Sequence, residues 1–166
     1  QAEKSAGEHT PSPFWSHSGA CVLNAATHAD YIVATLAVES VSVRSVVGLG
    51  VGLGRLFAEV LGRYRPRRAL ALEPSPWAWN RLNSEDLKPT KSTNLRLLRQ
   101  DLLSWCQRDT PGWDRFDLGL CTSVLQYLSE TEINHIMPVL AQRIGHLYLT
   151  VPTDRELEIQ VEESDL

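Results

Sequence analysis

Cysteine is scarce in this chain: Cys21, Cys106 and Cys121 are the only three among 166 residues, and they stand far apart. No C-x-x-C pair occurs, so neither a zinc site nor a disulfide framework is expected, and the plain reading is reduced thiols in a cytoplasmic protein. No apolar run approaches the roughly 18 residues of a membrane span. A surplus of positive charge is missing as well. Sixteen Lys and Arg stand against twenty Asp and Glu, a net charge of -4, which disfavours a broad nucleic-acid-binding face. Internal repeats, a cluster of metal ligands and an acid–base constellation are all lacking. What remains is 43% hydrophobic residues, enough for one globular domain with its own core.

The chain is organised around Ser45-Val46-Val47-Gly48-Leu49-Gly50-Val51-Gly52-Leu53-Gly54. A β-branched run feeds a loop with glycine at every second position, and the helix-forming run Arg55 to Leu61 follows at once. Strand, glycine turn and helix open a nucleotide-binding βαβ unit. Glycines there permit positive φ and let a ligand lie on bare backbone, facing the amides of the helix start. The dinucleotide spacing G-x-G-x-x-G fails in both registers, because Leu53 or Arg55 stands at the last position. The phosphate-loop spacing fails too, and no lysine follows.

Residues 1–26 read as an N-terminal arm and 27–166 as an α/β domain. Phe14 and Trp15 either pin that arm to the domain or close it over a substrate. An amphipathic helix is expected over Thr27 to Val41, with Tyr31, Ile32, Leu36 and Val38 inward, Asp30 near its start, and His28 at the surface. The helix after the glycine loop should stop at Pro66. Arg63, Arg65, Arg67 and Arg68 at that stop suit a solvated helix end. Ala69 to Glu73 is a short buried strand ending in a carboxylate about twenty residues past the loop, where ribose hydroxyls are accepted in such folds. Pro74 or Trp77 could lie against a flat adenine ring, and Pro76 begins a helix.

Asn83 to Asn94 is a polar loop, Leu95 to Arg99 a third strand, and Leu102 to Arg108 a helix that Asp101 can cap. Phe116 to Cys121 reads as a fourth strand. Ser129 and Glu132 form a capping box ahead of a helix over Glu130 to Arg143, which should kink at Pro138. A fifth strand spans Ile144 to Val151, and Leu157 to Val161 alternates like an edge strand. The order predicts a mostly parallel sheet with helices on both faces, a Rossmann-like three-layer sandwich. Its ligand belongs at the carboxyl ends of the strands, where the glycine loop, Glu73, Asp101 and Cys121 all fall.

Gly50-x-Gly52-x-Gly54 after a hydrophobic strand, Glu73, Asp101, the "Phe116-Asp117" strand start and Val124-Leu125-Gln126-Tyr127-Leu128 together resemble class I S-adenosylmethionine-dependent methyltransferases. The resemblance runs from about Val46 to Val151. It implies S-adenosylmethionine as cofactor, with Gly50, Gly52 and Gly54 under its methionine end, Glu73 on the ribose and Asp101 facing the adenine amine. Gly48, Pro74, Leu102 and Cys121 complete the implied cofactor contacts, and Tyr127 is the residue placed to touch a methyl acceptor. That acceptor, a small molecule or a protein, is not identified by the sequence, nor is a protein partner or an oligomeric state.

The chain departs from the family in two places. Many members carry an acid where Gly48 stands, and their sheet continues into a C-terminal antiparallel hairpin that a chain ending at Leu166 is expected to lack. These departures motivate one rival, a non-catalytic methyltransferase-like module acting as a binding partner or scaffold. An NAD-dependent oxidoreductase is a second rival, which Glu73 suits and the glycine spacing does not.

Overall fold

The computed structural model describes residues 18–82, 87, 92–108 and 112–151, with the side chains of 18–24 left aside. The elements run α1 (Ser18–Val38), β1 (Ser45–Leu49), α2 (Arg55–Tyr64), β2 (Arg68–Leu72), α3 (Pro76–Trp79) and β3 (Asn94–Leu98). They continue with α4 (Leu102–Cys106), β4 (Phe116–Thr122), a 3-10 turn over Leu125–Tyr127, α5 (Glu130–Arg143) and β5 (Ile144–Thr150). All five strands are parallel, in the order β3-β2-β1-β4-β5. Strand order reverses between β1 and β4, so the carboxyl ends of those two strands flank the crevice where such sheets take ligands.

Alternation along the strands sorts the core into two layers. Val47, Leu49, Leu70 and Leu72 point to the side covered by Leu102, Trp105, Ile136 and Leu140 of α4 and α5. Val46, Ala69, Ala71, Leu118 and Leu120 point to the side covered by Ile32 and Leu36 of α1 and by Phe57, Val60 and Leu61 of α2. Fully burying each large side chain of this kind contributes roughly 1.5–3 kcal/mol. The three-layer sandwich is therefore fixed by period-2 strands meeting helices with one apolar stripe each.

The capping box of α5 is present in full: the Ser129 hydroxyl accepts from the Glu132 amide at 3.3 Å, and the Ser129 amide donates to Glu132 Oε2 at 2.8 Å. The helix continues through Pro138. α2 runs Arg55 to Tyr64 as expected, and Arg65 closes it in a left-handed conformation at φ 46°.

α1 departs from expectation. It begins at Ser18, so the boundary drawn at residue 26 falls inside the helix and Asp30 is not in its first turn. The run Ser18 to Ala26 carries three alanines and Leu23 and no proline, which lets the helix start that early. Its inward stripe is Ala25, Ala29, Ile32 and Leu36, while Tyr31 is 63% and Val38 87% exposed. Two small alanines four apart complete that stripe with Ile32 and Leu36, in place of the larger Tyr31 and Val38. Asp30 accepts from Arg63 Nε at 2.7 Å and ties α1 to α2. His28 shares a hydrogen bond with Tyr148 of β5. Phe14, Trp15, most of the loop over 83–94 and the expected strand over 157–161 lie outside the described residues, as does any C-terminal hairpin.

Candidate functional site

The glycine loop turns back over the end of β2. The amides of Gly50 and Val51 both donate to the Leu72 carbonyl at 2.9 Å, and the Gly54 carbonyl accepts from Ala58, opening α2. Gly50, Gly52 and Gly54 have φ of 78°, 57° and 76°, left-handed values that side-chain-bearing residues rarely adopt. Alternation of glycine is thus what the backbone requires here.

Glu73 sits one residue past β2 and is only 5% exposed. Its Oε2 accepts from the Gly52 amide at 2.6 Å and its Oε1 from the Ser75 amide at 2.8 Å. The Glu73 amide in turn donates to the Leu98 carbonyl at 3.1 Å. One carboxylate thereby joins the loop after β1 to the turn after β2, at the ends of three adjacent strands. The glycine loop and the acid, 21 residues apart in sequence, converge on one place. Pro74 beside it is exposed, and Trp77 is half-buried beneath the Arg81 guanidinium, 4.1 Å from the ring centroid. Arg81 thus covers one face of Trp77, whereas Pro74 is open to a flat ligand.

Asp101 is exposed and caps α4. Its Oδ1 accepts from the Ser104 amide at 2.8 Å and its Oδ2 from the Ser104 hydroxyl at 2.7 Å. Burial of the group opposes its charge, but the Ser104 amide and hydroxyl, with the Asp101 and Leu103 amides, outweigh it and hold the carboxyl below its ordinary range. Leu102 is buried in the core, so only its backbone could meet a ligand. Cys121 is fully buried at the end of β4, and burial pushes its thiol up to about 11. A thiol so protonated packs and does not react. Tyr127 is 70% exposed on the 3-10 turn.

Around Gly48 the fit is tight. A Cβ at Gly48 would collide with Val51 and would come within 2.8 Å of Phe57, so no acid can stand there without displacing them. A Cβ on Gly50 would lie 2.8 Å from Val124, and one on Gly54 would lie 2.6 Å from Leu87. The cavity against Gly48, Gly50, Phe57 and Thr122 measures about 20 Å³, room for a single water. Val124 is reached through Ser123, a non-glycine residue at φ 54° whose amide donates to Thr150 and so joins the ends of β4 and β5. Backbone held in that region concentrates at functional turns.

Val124 and Gln126 belong to the motif read from the residues, but nothing in it points to the contact of Val124 with Gly50 or to two buried glutamine atoms. Gln100 Nε2, beside Asp101, and Gln126 Oε1, beside Tyr127, have no hydrogen-bond partner among the described residues. Both stand at the carboxyl end of the sheet, and buried amide atoms without partners are unusual. Also among the described residues, no group of His, Cys, Asp and Glu could hold a metal, and no helix is long and apolar enough to cross a membrane.

No family model and no curated protein matches the chain. Solved structures do. The chain is similar to the sugar N-methyltransferase KedS8 from a Streptoalloteichus species, with TM-score 0.61 and 15% identity over 92% of this chain and 60% of that one. It is similar to an S-adenosylmethionine-dependent methyltransferase from Clostridium acetobutylicum, with TM-score 0.59 and 16% identity over 75% of this chain and 49% of that one. It is also similar to the N-terminal domain of EvdMO1 with S-adenosylhomocysteine bound, with TM-score 0.57 and 21% identity over 75% of this chain and 48% of that one. The chain thus spans about half to three fifths of these proteins. The all-parallel sheet agrees with these likenesses: the chain has the class I S-adenosylmethionine-dependent methyltransferase fold.

Proposed function

We propose that this chain is an S-adenosylmethionine-dependent methyltransferase acting on a small-molecule or protein acceptor in the cytoplasm. The observation that carries the reading is the Glu73 carboxylate bound to the Gly52 amide at 2.6 Å, which sets an acid and bare glycine backbone side by side at the β1–β2 ends. Neighbouring folds whose names state S-adenosylmethionine or S-adenosylhomocysteine support the same cofactor class, and none favours the non-catalytic alternative.

In this reading Glu73 accepts from the ribose hydroxyls and Pro74 lies against the adenine. Asp101 and the Leu102 amide meet the adenine edge, Asp101 through the lone pairs that Ser104 leaves free. Gly50, Gly52 and Gly54 lie beneath the methionine end, with Gly48 and Cys121 as packed floor. The cofactor supplies an electrophilic methyl on a sulfonium. The chain's own residues bind, align and exclude water, and alignment alone can supply on the order of 7–11 kcal/mol in favourable models. Val124 packs against Gly50, so it swings away before a methionine end lies on that glycine. Tyr127, exposed on the same turn, then borders the acceptor.

Calorimetric titration with S-adenosylhomocysteine tests this. Saturable binding is expected, weakened at least about tenfold by Glu73→Gln, which retains an acceptor oxygen and loses the second. Absence of binding to a folded chain, or a Glu73→Gln variant that binds as tightly as the parent, would overturn it.

A further inference from the structure

The amino ends of the strands carry a charge pattern that the cofactor reading does not use. Arg44 precedes β1, Arg65 and Arg67 precede β2, Arg68 begins it, and Arg115 precedes β4. Register sets these positions in one row, since Ser45 pairs with Arg68 and the Arg67 amide donates to the Arg44 carbonyl at 2.9 Å. Arg44, Arg65, Arg67 and Arg115 are exposed, and among the described residues none of the five forms an ion pair. This differs from Arg63 one turn away, which binds both Asp30 and Glu59.

The row opens onto a groove of about 320 Å³ between the starts of β1, β4 and β5 and the end of α5, lined by Ser45, Arg68, Arg115, Asp117 and Arg143. Two guanidinium groups in it are fixed. Arg68 donates to the Gly112 and Arg115 carbonyls and lies over the Phe116 ring at 5.1 Å. Arg143 donates to the Trp105 and Arg108 carbonyls at 2.9 Å. Carbonyl partners position Arg68 without neutralising it. The acids nearby are few: Asp117 keeps its charge in the groove while its Oδ2 accepts from the Arg44 amide and from the Ser45 amide and hydroxyl, Glu39 faces His146 at 3.6 Å, and Asp114 is half-buried.

We infer that this arginine row and groove form a docking surface for an acidic segment of a partner protein, at the end of the sheet opposite the glycine loop. Charge complementarity favours an anionic occupant. Nucleic acid fits less well, because the rings under the arginines, Trp105, Trp113 and Phe116, are all buried and leave no platform for bases to stack. The net charge of -4 repels a long polyanion more than a short acidic peptide. The inference is independent of the cofactor, since the strands place the two sites roughly 17 Å apart.

Fluorescence anisotropy of the full chain with a labelled ten-residue Glu/Asp peptide, beside a labelled ten-nucleotide single-stranded RNA, tests it. The peptide is expected to bind saturably and severalfold more weakly when salt rises from roughly 50 to roughly 200 mM. The double variant Arg67→Glu, Arg115→Glu should lose at least about tenfold. Neither side chain makes a hydrogen bond among the described residues, so folding, read by circular dichroism, should be kept. Arg81→Glu, half that charge change at the other end of the sheet, should bind the peptide as the parent does. No saturable peptide binding, RNA bound more tightly than peptide, or full binding by the double variant would each overturn the inference.

Discussion

Two carboxylates end neighbouring parallel strands in this fold, and they are held by opposite means. Glu73 is buried and takes amides from two separate loops, one of them 21 residues away. Asp101 is exposed and takes its donors locally, the Ser104 amide at 2.8 Å and hydroxyl at 2.7 Å among them. The first is a tertiary joint and the second a local helix cap. A ligand reaching the first meets a carboxylate already fixed in place, whereas the second would have to serve a ligand without giving up its helix.

Breaking the tertiary joint should have the largest effect. Glu73→Ala leaves the Gly52 and Ser75 amides without their acceptor, and a loss of about 2–4 kcal/mol in urea denaturation is expected, together with loss of S-adenosylhomocysteine binding in calorimetry. Next is the loop beneath it. Gly50→Ala forces a side chain into φ 78° and against Val124, and about 1–3 kcal/mol of destabilisation is expected. Adding Val124→Ala should recover the part due to collision and none of the part due to φ, a separation that a double-mutant cycle reads directly.

The local cap should respond less. Asp101→Ala is expected to cost about 1 kcal/mol, and Asp101→Ser, which still caps, a few tenths. If Asp101 also meets adenine, Asp101→Ser binds S-adenosylhomocysteine more weakly at near-parent stability; equal affinity would confine the residue to capping. Its depressed pKa adds a pH signature. The folded state holds the ionised form better than the unfolded chain does, so the contribution is present above the ordinary Asp range and is lost as pH falls through the lower folded value. A stability profile below about pH 4 should therefore flatten in Asp101→Ser relative to the parent. The smallest effect concerns Cys106 and Cys121. Burial raises both thiols to about 11, so thiol titration at neutral pH should be slow in the native protein and immediate in urea.

Much of this was legible in the residues themselves. Gly50, Gly52 and Gly54 fall where the chain needs positive φ, and a loop that must turn left-handed three times announces itself by composition. Ser129 and Glu132 marked the start of α5 because a capping box is a bond between residues three apart. Asp101 as a cap was readable for the same reason. In α1 the residues point to Ile32 and Leu36 but not to the rest of the buried stripe, because that part is alanine, whose small side chain gives periodicity little contrast.

The chain by itself determined where strands alternate with helices, which turns need glycine, and that an acid follows β2, since each of these is set within a few neighbouring residues. Only tertiary structure decided that Glu73 reaches the Gly52 amide, that Val124 closes on Gly50, and that five arginines from three separate connections share one edge of the sheet. Those are contacts between segments tens of residues apart, and parallel pairing, with every strand starting at the same edge, is what brings them into register.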